Sequence, residues 1–134
     1  MEGVKSDNPK ILVVEDENVV ALELKKRLKK LGYLVPSVAS SGKEAISKAG
    51  GFLPDLVIMD IRLKGDMDGI QAAQTIREEF NIPVIYLTAH SDEETLKRAK
   101  QTEPYGYILK PFEEDDLRTA IEIALYKHHS EHCK

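Results

Sequence analysis

Cysteine is almost absent from this 134-residue chain: the single Cys133 lies one residue from the end, so no intrachain disulfide framework exists. Long hydrophobic runs are absent too. The longest apolar stretches, such as Ile11–Val14 and Pro83–Ala89, run to four to seven residues, far short of the roughly 20 that a membrane-spanning helix needs. The first ten residues, MEGVKSDNPK, hold no apolar signal-peptide core. Positive charge is not in surplus, because 19 Lys and Arg stand against 23 Asp and Glu and leave a net charge of -4. A dedicated nucleic-acid binder needs a basic field to displace counterions from phosphates, and this chain lacks one. No repeat, low-complexity tract or Pro/Gly/Ser linker divides it. The expectation is a cytoplasmic, soluble, single-domain protein that binds neither membrane nor nucleic acid directly. With 42% hydrophobic and 31% charged residues, a chain of this length can build an ordinary core without staples.

What is present is an alternation of two kinds of segment. Short runs rich in Val and Ile, namely ILVV at 11–14, LVIM at 56–59, PVIYL at 83–87 and YGYIL at 105–109, read as buried strands. Val35–Ala39 is weaker, is interrupted by Pro36, and belongs at a sheet edge. Between these runs the period is helical. Ala21, Leu24, Leu28 and Leu31 share a face before Gly32 stops the pattern, and Leu117, Ala120, Ile121, Ala124 and Leu125 form another stripe. Ser41–Lys48, Asp68–Phe80 and Asp92–Gln101 complete the set, with Asp68 and Asp92 placed as caps or first-turn acids. Strand and helix in alternation, five times over, imply an α/β fold: a doubly wound parallel sheet with helices on both faces.

In such sheets ligands bind beyond the carboxyl ends of the strands. The first strand ends in Glu15-Asp16-Glu17, the third in Asp60, the fourth in Thr88 and the fifth in Lys110-Pro111. Carboxylates gathered on one rim repel by about 1 kcal/mol per pair at 4 Å in water and about 4 kcal/mol at surface-like screening. A hard cation relieves that, and oxygen ligands with room for water suit Mg2+. Thr88 and Lys110 beside it make an oxyanion-binding pair, which points to phosphoryl chemistry.

These residues resemble the response-regulator receiver domain of two-component signalling. The likeness covers about residues 9 to 127 and rests on ILVVEDE, LVIMDIRL, VIYLTA and GYILKPF in this order and spacing. It implies a flavodoxin-like strand order 2-1-3-4-5. By the same resemblance Asp60 is the acceptor of a phosphoryl group from a phosphohistidine. Glu15 and Asp16 hold Mg2+ (or Mn2+) together with Asp60 and the main-chain carbonyl of Arg62. Lys110 contacts the phosphoryl group, Thr88 is the switch hydroxyl, and Tyr107 is the aromatic whose rotamer follows it. Arg62 and His90 stand where the family tunes phosphate lifetime. The implied partners are a histidine kinase or phosphotransfer domain and a downstream protein effector. The readout surface lies around the fourth helix, fifth strand and last helix, where a homodimer also forms in this reading. Such a domain is a signalling module that assists its own phosphorylation and dephosphorylation, and is not an enzyme. One departure is the loop after Asp60, where Lys64-Gly65 replaces the family's proline and the loop is one residue longer.

Each feature also has a plainer explanation. Glu15-Asp16-Glu17 can open a helix at its positive end, Asp60 can be a solvated loop acid, Thr88 a β-branched strand residue, and Tyr107 a packing aromatic. The basic stretch Lys25–Lys30 can be a solvated face with Glu23 and Arg27 paired. His128, His129, His132 and Cys133 are metal-capable but read as a frayed tail, 128–134, while 1–8 reads as a flexible N-terminal segment. With no effector region after Lys134, the expectation is a stand-alone receiver or a fragment of a longer regulator or hybrid kinase. Three other functions compete. A haloacid-dehalogenase-type phosphatase carries a second acid two residues after its nucleophile, where this chain has Arg62. A flavodoxin-type carrier needs a phosphate cradle where Glu15-Asp16-Glu17 would repel it. A receiver-fold interaction module would not react at Asp60.

Overall fold

The computed structural model describes residues 8–63, 65–89 and 93–132, so expectations for Lys64, His90, Asp92 and Cys133 fall outside the described residues. Strand β1 (Ile11–Val14) is followed by α1 (Asn18–Lys30), β2 (Val38–Ala39), α2 (Gly42–Phe52) and β3 (Leu56–Asp60). Then come α3 (Gly69–Phe80), β4 (Val84–Thr88), α4 (Glu93–Gln101), β5 (Gly106–Leu109) and α5 (Glu114–His132). The five strands pair in parallel in the order β2-β1-β3-β4-β5. That is the doubly wound, flavodoxin-like α/β sheet that the sequence predicts.

The apolar strands are uninterrupted because both their faces are covered. Leu12, Val14, Val57, Met59, Val84 and Tyr86 point to one side and pack against α2, α3 and Ala99 of α4. Ile11, Val13, Leu56, Ile58, Ile85 and Leu87 point to the other, against Leu24 and Leu28 of α1 and Leu117, Ile121 and Ala124 of α5. Burying side chains of this size contributes about 1.5–3 kcal/mol each relative to leaving them exposed. Pro36 confines β2 to two residues at the sheet edge. No helix of the described residues is long and apolar enough to cross a membrane.

The helix starts follow local chemistry. The Ser41 side chain accepts the N–H of Glu44, and Asp68 forms a capping box with Gln71. Two helix ends depart from expectation. Helix α2 continues past Lys48 through Gly50-Gly51, because Gly50 faces α3 so closely that a Cβ there would lie 2.8 Å from the Phe80 ring. Residues 128–132, expected as a frayed tail, are the last turns of α5. The His128 ring bonds the Asn81 carbonyl at 2.8 Å and stands edge-on to Tyr105, whose hydroxyl donates to Glu131.

Gly69 opens α3 directly against the end of β3. A Cβ there would lie 2.0 Å from the Asp60 carbonyl oxygen, so any side chain must displace the backbone that presents Asp60. Gly69→Ala is expected to destabilise the fold by about 2 kcal/mol in urea unfolding. A change within about 0.5 kcal/mol, the range of an ordinary surface substitution, would show that the contact is not the constraint described.

Candidate functional site

The sheet register delivers the acids to one place. Val14 of β1 lies beside Met59 of β3, so one step further Glu15 lies beside Asp60. The backbone holds the pair in line: Glu15 donates its N–H to the Ala39 carbonyl (2.9 Å) and Ile61 to that of Leu87 (3.1 Å). Both side chains are buried, Glu15 at 1% exposure and Asp60 at 5%, whereas Asp16 is half-buried. One carboxyl oxygen from each of Glu15, Asp16 and Asp60 lies within 4.8 Å of the others. Helix α1 starts only at Asn18, and its cap residue Glu17 makes no side-chain cap bond. Glu15 and Asp16 thus precede the helix, and the reading of this acidic run as first-turn residues does not apply.

Beside them, Lys110 follows β5, its N–H held by the Thr88 carbonyl at 2.8 Å. Its Nζ lies 3.2 Å from Glu15 Oε1 and 3.4 Å from Asp60 Oδ2. Backbone donors supply the rest: Arg62 N–H reaches Asp60 Oδ1 at 3.0 Å, and Glu17 N–H reaches Glu15 Oε2 at 3.2 Å. Glu15 Oε1 still has no hydrogen-bond donor, because the ammonium is near enough to pair with it but not aligned to bond. Burial pushes the Glu15 carboxyl up to about 7, reinforced by the neighbouring Asp60 carboxylate, which favours a proton kept on Glu15. Burial also works against the Lys110 ammonium, yet the charges of Asp60 and Glu15 outweigh it and hold Lys110 above its usual value.

Three carboxylates and one ammonium leave the cluster short of positive charge. Oxygen ligands on opposite sides of an octahedral Mg2+ lie about 4.2 Å apart, so one ion fits this oxygen set with little adjustment. Glu15 Oε1 pairs with the Lys110 ammonium at 3.2 Å without an aligned hydrogen bond, so this buried oxygen keeps acceptor capacity for a cation. His128, by contrast, is committed to the Asn81 carbonyl, and the Glu15–Asp16–Asp60 cluster is the metal-capable group among the described residues.

Asp16, Asp60, Arg62, Thr88 and Lys110 line one cleft of about 240 Å3. Of the residues singled out by sequence, Glu15 is buried and does not line this cleft, and Tyr107 is not at it. Tyr107 lies beside Tyr86 in the β4–β5 register, ring centroids 6.2 Å apart, and is 37% exposed. A larger groove of about 800 Å3 lies at the opposite end of the sheet, among Pro9, Leu53, Phe80 and Leu125. It gathers no comparable cluster of acids, so the small acidic cleft is the candidate site. The altered loop after Asp60 is anchored, with Leu63 buried and Gly65 at positive φ. A contact not foreseen from sequence pairs Asp68, the α3 cap, with Arg98 of α4 at 3.0 Å. No local pattern signals it, because its partners are far apart in the chain.

The family model described as "response regulator receiver domain" matches residues 11–122. The chain is similar to the transcriptional regulatory protein PdtaR of Mycobacterium tuberculosis, 37% identical over 116 residues, which is 87% of this chain and 56% of that protein. It is also similar to the transcriptional regulatory protein ZraR of Escherichia coli, 37% identical over 125 residues, or 92% of this chain and 28% of the relative. The chain thus spans about half the length of the first and about a quarter of the second. Among solved structures it resembles the signal receiver domain of a modulated diguanylate cyclase from Desulfovibrio desulfuricans, with a TM-score of 0.89 at 39% identity, covering 93% of this chain and 99% of that one. A CheY-like response regulator receiver domain protein from Methanospirillum hungatei gives a TM-score of 0.84 at 25% identity, covering 93% and 99%.

The Glu15 environment sets a pH dependence. The unfolded chain releases this proton near the ordinary 4.5, the folded chain near 7. Between those values the folded state binds the extra proton, so stability is fully present below the lower value and lost as pH rises through the upper one. With a chelator present, urea unfolding at pH 5 and pH 8 is expected to show wild type losing about 2 kcal/mol that Glu15→Gln retains. Parallel pH profiles for the two proteins would contradict this account of Glu15.

Proposed function

The chain belongs to the response regulator receiver family, and on that premise we propose that it accepts a phosphoryl group from a histidine kinase or phosphotransfer domain onto Asp60. The observation that carries the proposal is the meeting of Asp60, Thr88 and Lys110 in one cleft beside the Glu15–Asp16 pair. A carboxylate is a poor nucleophile toward a phosphoryl group because both are negative. Glu15, Asp16, Asp60 and the main-chain carbonyl of Arg62 would hold the divalent ion. When bound there, Mg2+ (or Mn2+) neutralises charge on the carboxylates and on the phosphoryl oxygens.

The remaining work falls to the chain. Lys110 Nζ, already 3.4 Å from Asp60 Oδ2, offsets the charge of the approaching phosphoryl oxygens. An Asp60 oxygen attacks phosphorus, the P–N bond to the donor imidazole breaks, and its electron pair returns to the ring. Phosphoryl transfer asks little more of a protein than positioning and charge stabilisation. The product adds about -1.5 to -2 charge and new acceptor oxygens at the cleft. Thr88 moves onto one of them, and Tyr107 follows as the neighbouring aromatic on β5. The readout is the surface of α4, β5 and α5, where Tyr107, Leu109, Ile123 and Tyr126 are exposed. That surface would receive a downstream protein or a second copy of the chain, in a cytoplasmic signalling role. Arg62 and His90 would set how long the phosphoryl group lasts. In this reading 9–127 is the working unit, with 1–8 as a leading segment and 128–134 as a tail, of which 128–132 continue the last helix.

Intact mass after incubation with a small acyl phosphate tests the proposal. One phosphoryl adduct is expected, dependent on Mg2+ and absent in Asp60→Asn. Lys110→Ala should slow its formation about a hundredfold, as loss of a charge-stabilising donor does elsewhere. Wild type that takes up no phosphoryl group, even with a dead time short enough to exclude hydrolysis, would rule out Asp60 as acceptor. The chain would then be a receiver-fold interaction module.

A further inference from the structure

The loop that carries Lys110 is fastened at both ends. At its start the Lys110 N–H is held by Thr88 on β4. Two residues on, Phe112 is buried among Leu24, Leu28 and Leu117, and its outer side is covered by Arg27 of α1. The Arg27 guanidinium lies 5.5 Å over the Phe112 ring, and its Nη1 donates to the Phe112 carbonyl at 3.4 Å. Glu23, one turn earlier on α1, holds the other arm of the guanidinium at 2.9 Å. A planar cation stacked on a ring and forked between two oxygens is a geometry that arginine makes and lysine does not.

The position of this clamp matters because α1 follows directly from Glu15 and Asp16. One side chain therefore ties the segment bearing the lysine to the segment bearing the acids. We propose that Arg27 is a positioning residue for phosphoryl uptake, holding the Lys110-Pro111-Phe112 loop so that the ammonium stays seated between Glu15 and Asp60. This rests on the acceptor reading of Asp60 for its effect on uptake, but not for its effect on the lysine. Without Arg27 the Phe112 ring keeps its core contacts while the carbonyl side is released, and Lys110 gains freedom to swing toward solvent.

Two readouts on the full chain test this. The first is the rate at which Lys110 is acylated by dilute acetic anhydride, read by peptide mass against Lys48, which is anchored far away by Val38 and Glu44. Arg27→Met keeps most of the apolar stem and should raise acylation of Lys110 relative to Lys48 about threefold, with Arg27→Lys intermediate. The second is Mg2+-dependent phosphoryl uptake, which should fall about threefold in Arg27→Met and no further when that change is added to Lys110→Ala. Unchanged acylation of Lys110 would overturn the proposal. So would a slowing of uptake that persists in the Lys110→Ala background, since Arg27 would then act by another route. Failure of wild type to take up phosphoryl would remove the acceptor reading, and the acylation comparison would still decide whether Arg27 seats Lys110.

Discussion

Glu15 and Asp60 stand side by side, out of water, at the ends of neighbouring parallel strands, and they cannot move apart. Asp60 ends β3 and Glu15 directly follows β1, both strands being buried on both faces, and the register that pairs Val14 with Met59 places the next two residues together. At surface-like screening such a pair costs about 4 kcal/mol. The features around it offset that cost in part: the Lys110 ammonium, the backbone N–H groups of Arg62 and Glu17, and a raised proton affinity at Glu15. A carboxyl oxygen left without a donor shows that the compensation is incomplete. In the proposed reading a divalent ion would complete it, and a phosphoryl group brought by a partner would then meet a rim whose negative charge is neutralised.

The segments around the pair are joined by several contacts. Gly69 lets α3 begin in contact with the Asp60 backbone, Thr88 and Lys110 are bonded through their main chains, and Arg27 covers Phe112. The Asp68–Arg98 ion pair extends this contact network from the start of α3 to α4. In the proposed reading, charge added at Asp60 would act on these joined segments. The β5 residues Tyr107 and Leu109 are exposed on the side where the receiver resemblance puts the proposed readout.

Most of the fold is legible in the sequence because buried parallel strands leave unbroken apolar runs, as ILVV and LVIM do. The strand ends were legible for the same reason: once the runs are placed, Glu15, Asp60, Thr88 and Lys110 fall on one rim. The less legible features depend on tertiary partners. Helix α2 runs through Gly50-Gly51 because Phe80 packs on it, and α5 runs on through His128 because Asn81 offers a carbonyl. The Arg27–Phe112 and Asp68–Arg98 contacts join surfaces of different elements. Their meeting depends on how each helix is rotated on the sheet, which no local pattern encodes. Tyr107 carries a strand residue's local signature whether or not it follows a switch.

The central claim is that the strand-end cluster is one cation short. Titration of the isotopically labelled chain with Mg2+, followed by backbone amide resonances, tests it most directly. The account predicts saturable shifts centred on residues 15–17, 60–62 and 110, lost in Asp60→Asn. Absence of saturation, or shifts centred on the histidines near the end of α5, would contradict it.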